Sequence, residues 1–375
     1  MPGGARVSSV DWWRGFALVT IFVNHVPGNA LENYTHKNFG LSDASELFVL
    51  LAGMAASFAY LPLFWAGRGV FSTLKMVLRA FHVYVMHIAI LCLAGAIVVA
   101  ATLQMEDSRI AEAMQFDLFL ASPAQALIGF VTLGHQPNYL NILPLYVVLL
   151  LMAPLLMLGL RVNAGVTLAA SGALYLATQL FDLRLPSYPG EGAWFFNPLA
   201  WQFLYVIGLV LGDRLRSGRP VQPPLWLVWA SVAVLAGALV WVRSGVFLDH
   251  GHGLPRFMWD LDKTNLSLPR LVHVLALVVV VSRLPLEQWI SRSRALQPFV
   301  LLGRHSLGVF GLGTVLAILA QTLRIAVGGE ASLDVLMITT GLVLQMLLAW
   351  ALEWNRNGAL ARAASPAAAL ARSDL

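Results

Sequence analysis

Charge is what this sequence has least of. Only 11% of its 375 residues are Asp, Glu, Lys or Arg, against about 25% in an ordinary soluble domain. The deficit runs from end to end: 58% of the chain is hydrophobic and the mean hydropathy is +0.74. No stretch is left over for a separate soluble domain, so lipid is the solvent of most of the chain. Cysteine is nearly absent as well. Cys92 is the single one, which excludes an intrachain disulfide and a cysteine-built metal site. A phosphate-binding Walker loop, a G-x-S-x-G elbow and an H-E-x-x-H metal helix are missing too, and no metal is expected. The formal charge of +5 sits in short segments between apolar runs. There Lys and Arg act as orientation signals, and a nucleic-acid partner is not expected.

What the sequence does have is a series of apolar runs, each near the roughly 20 residues that a spanning helix needs. Ten are predicted, near 10–27, 46–66, 79–102, 140–160, 164–181, 194–213, 223–243, 268–284, 297–322 and 332–354. The expected fold is therefore all-α, a polytopic integral membrane protein of about ten transmembrane helices. One transmembrane domain is expected over 1–360 and a disordered cytoplasmic tail over 361–375. The stretch 117–133, interrupted by Pro123, reads as a partial or interfacial helix. With the N-terminus placed inside, 14 of the 24 Lys and Arg fall on the inner side and 8 on the outer, with Arg14 and Arg304 inside spans. That bias puts both termini in the cytoplasm. The first run carries Asp11, Arg14, Asn24 and His25, too polar for the core of a cleavable leader.

An ionisable residue inside a span costs about 2.5–3.5 kcal/mol on insertion scales and is a functional candidate by default. In VDWWRGFALVTIFVNHVPGN, Arg14 and His25 stand eleven residues apart, almost three whole turns. They share one helix face, about 16 Å apart along the axis. Arg14 falls near the inner surface, where snorkelling is the plain alternative, and His25 falls in the outer half. Asp11, one turn before Arg14, is placed to hold its guanidinium. Asn24, Asn29 and Glu32 follow His25 closely and are candidates for contacting a substrate. The second run opens LSDASELFVLLAG, and its acids Asp43 and Glu46 should lie at the depth of His25. Either could orient an imidazole acting as general base, although both also suit a helix start. The ninth run, LGRHSLGVFGLG, brings Arg304 in from the inner side among packing glycines. Arg79 is a further inner cation. His82 and His87 read as structural, and Asp249–His252 as loop chemistry.

The R-x10-H arrangement of the first helix, with F-V-L-x-x-G opening the second, resembles the acyltransferase-3 superfamily of membrane acyltransferases. The longer string DWWRGFALVTIFVNHVPGN…ENYTHKNFGLSDASELFVLLAGMAASFAY is similar to the OpgC family, as is LGRHSLGVFGLG. That family is associated with succinylation of osmoregulated periplasmic glucans in Gram-negative bacteria. The resemblance implies an inner-membrane O-acyltransferase. Its donor is a cytoplasmic acyl-CoA, succinyl-CoA by the family's chemistry, and its acceptor is a hydroxyl of a periplasmic glucan. It also implies His25 as catalytic base, with Asp43 or Glu46 as its acid, and Arg14 on the donor path beside Arg304 and Arg79. Self-association of the chain is left open. The rival class, a transporter or flippase for a glycan or small anion, predicts two halves of matching hydropathy, and the sequence has no such repeat.

Overall fold

The computed structural model of the protein describes residues 7–245 and 255–363. Asp249–His252 and the expected tail from 364 onward lie outside the described residues. The architecture is all-helical; among the described residues the only extended pairing is an isolated bridge between Pro186 and Ala193.

α1 (Ser8–Asn24) runs unbroken through the polar first segment and stops at His25, its C-cap. Pro27 and Gly28, at φ +78°, prevent continuation. A folded loop then leads into α2 (Ala44–Trp65), which opens on a reciprocal capping box: Asp43 accepts from the backbone of Ser45, and Glu46 accepts from the backbone of Asp43. α3 (Gly69–Met105) begins ten residues earlier than the apolar run suggests and is 37 residues long. At 1.5 Å per residue it measures about 55 Å, well beyond the roughly 30 Å hydrocarbon core. Three short helices follow, α4 (Ser108–Met114), α5 (Asp117–Ala121) and α6 (Pro123–Val131). The last two occupy the stretch expected to be a partial helix, with the break at Ser122 before Pro123. Neither is long enough to cross a bilayer.

α7 (Ile142–Val162), α8 (Ala164–Phe181), α9 (Pro198–Arg216) and α10 (Leu225–Ser244) form the middle of the chain. α11 (Leu268–Val281) and α12 (Leu286–Arg292) are bent by 63°. The ninth predicted run is broken as well. It forms α13 (Gln297–Arg304) and α14 (Ser306–Val327), interrupted at His305, before α15 (Ala331–Ala363).

Seven helices among the described residues are long and apolar enough to cross a membrane: α2, α3, α7, α8, α10, α14 and α15. α11 with α12 makes an eighth if that bent pair is one span. α1 has only 17 residues, and α9 carries Asp213, Arg214 and Arg216; neither is among the seven. The protein is thus a multi-pass, all-helical membrane protein.

The bundle is closest where side chains are smallest. α2 packs most extensively on α9, and α1 on α13. A Cβ on Gly53 would run into the Tyr205 carbonyl, and one on Gly208 into the Leu50 carbonyl. A Cβ on Gly303 would strike the Asp11 carbonyl, and one on Gly15 that of Phe299. Lipid tails offer no hydrophobic drive for helix association, so close backbone approach through small residues is what holds such pairs. α10 sits at the other extreme, with only Ser231 and Ala238 buried and its Leu225, Trp226 and Trp229 facing outward.

Candidate functional site

The C-terminal end of α1, the N-terminal ends of α2 and α11, and the segment 255–267 meet at one end of the bundle. Polar side chains concentrate there. Asp43 and Glu46 face Lys263 and Arg270. Arg270 Nε donates to Glu46 Oε1 at 2.6 Å, and its Nη2 stands 3.4 Å from Asp43 Oδ2, a charge contact without hydrogen-bond alignment. Lys263 pairs with Asp43. Glu46 is completely buried and Arg270 nearly so. Two acids and two cations balance, which is how charge is tolerated away from water. Burial alone would raise the Asp43 carboxyl, but Lys263 and Arg270 hold it well below the usual carboxylate range.

Three histidines surround this ion cluster. His25 packs its ring 4.7 Å from that of Tyr139. Its Nδ1 is buried with no hydrogen-bond partner among the described residues. Asp43, Lys263 and Lys37 are the charges that act on it. Its backbone carbonyl accepts from Gln321, which ties α14 to the end of α1. His273, one turn after Arg270, lies 2.7 Å through Nδ1 from the Ser42 hydroxyl. His36 lies against Phe16, and burial lowers its pKa from the ordinary histidine value.

Neither Asp43 nor Glu46 hydrogen-bonds to His25; the two acids cap α2 and hold Arg270 and Lys263. Asn24, Asn29 and Glu32 make their hydrogen bonds inside the loop between α1 and α2. Asn29 Nδ2 donates to the Val23 and Val26 carbonyls, and its Oδ1 accepts from Leu31 and Glu32 backbone. Asn24 accepts from the Thr35 hydroxyl at 2.7 Å. Glu32 accepts from Gly28 N and pairs with Lys37. These three residues give the loop its shape.

The other end of α1 carries a second polar group. Arg304, at the α13–α14 break, has Nε 3.9 Å from Asp11 Oδ2 and Nη1 3.4 Å from Glu353 Oε1. His305 reaches the same Glu353 at 2.8 Å. Beside them lies a cavity of about 400 Å³ lined by Arg294, Gln297, Arg304 and Met346 among others. Arg14, one turn beyond Asp11, and Arg79, whose charge acts on Tyr60 of α2, are not among its lining residues.

Sequence reasoning missed Arg270, Lys263, His273 and Tyr139, and Glu353 at the opposite end. Arg270 and Lys263 are two of the eight Lys and Arg that fall on the outer side. The available signal was LSLPRLVHVLAL, an arginine and a histidine three apart where an apolar run begins, a spacing that puts both on one helix face. Nothing local marks Tyr139 or Glu353.

Polar clusters at both ends of a bundle of apolar helices, linked by a single helix bearing Arg14 and His25, define a multi-pass membrane protein organised around a polar first helix. A profile of the OpgC protein family matches residues 6–357, nearly the whole length, and the chain belongs to that family. Membership supports a glucan-modifying, succinyltransferase-type role in general and suggests an acyltransferase. No curated protein and no solved structure matches the chain.

Proposed function

We propose that this protein is an inner-membrane O-acyltransferase that moves a succinyl group from cytoplasmic succinyl-CoA to a hydroxyl of a periplasmic glucan. The observation that carries this reading is α1 itself, in a chain of the OpgC family. It is one unbroken helix with Arg14 near one end and His25 capping the other. In the topology that goes with it, α1, α2, α3, α7, α8, α9, α10, the α11–α12 pair, the α13–α14 pair and α15 make ten crossings with both termini cytoplasmic. The cavity beside Arg294 and Arg304 then faces the cytoplasm, and the ion cluster of Asp43, Glu46, Lys263 and Arg270 faces the periplasm.

The donor's phosphates are polyanionic and need cations. Arg294 and Arg304 at the cavity supply them, with Arg14 and Arg79 nearer the acyl path. The thioester must reach His25, about 16 Å further along α1, so the pantetheine arm lies extended between helices. His25 takes the proton of the attacking glucan hydroxyl as the oxygen adds to the thioester carbonyl. Collapse of the tetrahedral adduct forms the ester and releases the CoA thiolate, which is protonated to the free thiol. Lys263 opposes the imidazolium formed in that step, and Asp43 is the acid whose charge favours it. Glu46 keeps Arg270, and through it Asp43, in place. Asn24, Asn29 and Glu32 serve the acceptor side by fixing the loop over His25.

Purified full-length protein in lipid nanodiscs, given succinyl-CoA labelled in its acyl group and a glucan, should place label on the sugar as a base-labile ester. Acetyl-CoA should be a poorer donor, as the resemblance to a succinylating family implies. Label remaining wholly on CoA would refute the proposal, and preference for acetyl-CoA would refute the succinyl assignment.

A further inference from the structure

A second cavity, about 170 Å³, opens at the same end of the bundle as His25. It lies between the end of α8 and the segment 255–267. None of the acids, bases or cations of the proposed transfer lines it. One water needs at least about 10–15 Å³ on this measure, so the space is roomy enough for a small polar ligand.

Its walls are built and fixed in advance. The segment carrying Asp262, Asn265 and Ser267 is tied down from two helices, α8 and α9. Asn197 N donates to the Thr264 carbonyl at 2.9 Å, Trp201 Nε1 to that of Lys263 at 2.9 Å, and Tyr175 Oη to that of Leu266 at 2.9 Å. Gln179 Nε2 donates to the Asn265 carbonyl at 2.5 Å from the facing side. Within this frame the Ser267 hydroxyl is buried, at 2% exposure, with no hydrogen-bond partner among the described residues. A buried hydroxyl without a partner costs about 1–3 kcal/mol, and a ligand that supplied the partner would recover it.

The lining also defines the ligand's chemistry. Asp182 is paired with Arg184 at 2.5 Å and Asp260 with Arg256 at 2.6 Å, so these charges cancel locally. Asp262, which accepts from Thr264 N, adds one further acid. An anion would meet more carboxylates than guanidiniums, and a cation would compete with two arginines already in place. Alternating donors and acceptors suit groups that do both, as hydroxyls do. Phe257 adds an apolar side. Lys263 lies between Asp262 and Thr264 on the same segment and turns the opposite way, to Asp43. The cavity therefore backs directly onto the ion cluster beside His25.

We infer that this cavity binds one sugar ring of a neutral oligosaccharide, holding the acceptor beside His25 through Asp262, Ser267 and Gln179. The inference rests on the acyl-acceptor reading only for what the bound sugar is used for. The test is direct titration of the full chain in nanodiscs with α- and β-linked glucose tetrasaccharides. Binding would be read from intrinsic tryptophan fluorescence and confirmed by calorimetry. Saturable binding is expected, weakened about tenfold by Ser267→Ala and similarly by Asp262→Asn, each the loss of one hydrogen bond to the sugar. Both substitutions are near-isosteric, and thermal unfolding of each variant should match the parent. No saturable response from the parent, parent-like affinity in both variants, or displacement of sugar by inorganic phosphate or Ca²⁺ would each overturn the inference. Sugar binding that persists without any acyl transfer would instead count against the proposed activity and leave this site standing.

Discussion

His25 and Arg270 are both ionisable residues among apolar helices, and they are expected to fail differently when replaced. His25 has a buried, unpartnered Nδ1 and one ring neighbour, Tyr139, so little of the fold depends on its imidazole. His25→Ala should leave membrane levels unchanged while lowering acyl transfer by about 10²–10⁴, the usual contribution of a general base. Rates within a fewfold of the parent, measured at equal protein, would remove His25 from the chemistry. Arg270 is the reverse case. Its removal leaves Glu46 and Asp43 facing each other with only Lys263 between them, and breaking a buried pair costs about 3–5 kcal/mol. Arg270→Met should therefore lower the midpoint of thermal unfolding in nanodiscs, and adding Glu46→Leu to the same chain should restore much of it. A single variant as stable as the parent would mean that the cluster carries no folding energy.

At the scale of elements, the contacts that set helix positions are made by glycine. Gly208 and Gly212 are four apart on α9, and both meet α2 closely, at Leu50, Met54 and Ser57. A methyl at Gly208 has backbone in its way, which cannot swing aside as a side chain can. Gly208→Ala is thus expected to separate α2 from α9 and cost about 1–3 kcal/mol, the usual range for overpacking. Gly237→Ala on α10 is the matched comparison. Nothing lies within 4 Å of its added carbon, so it should be neutral or slightly stabilising through helix propensity. Equal unfolding midpoints for the two variants would show that the α2–α9 contact is not as close as described. The same logic covers Gly303 against Asp11, which sets how α13 presents Arg304 to the end of α1.

For the whole molecule, orientation decides whether the two polar ends face the compartments the chemistry needs. Cys92 faces outward from the bundle, so Cys92→Ser gives a background for labelling. With an impermeant thiol reagent on intact spheroplasts, Glu112→Cys should label at once and Ser217→Cys only after permeabilisation. The opposite pattern would invert the protein and place the Arg294–Arg304 cavity in the periplasm, away from any CoA.

The sequence by itself determined the class of the molecule. A chain so poor in charge can satisfy its backbone in lipid only as helices, and the polar face of the first segment was legible because eleven residues return to one side. The family followed from the same stretch, and the capping role of Asp43 and Glu46 from its local pattern. Tertiary structure decided the partners. Which cation meets Glu46 depends on α11 arriving 224 residues later, and no local pattern encodes that distance. Packing also broke the ninth run at His305 and turned Asn24, Asn29 and Glu32 toward their own loop. Hydropathy reports what a residue prefers as solvent, whereas a break or a hydrogen bond depends on which neighbour occupies the space.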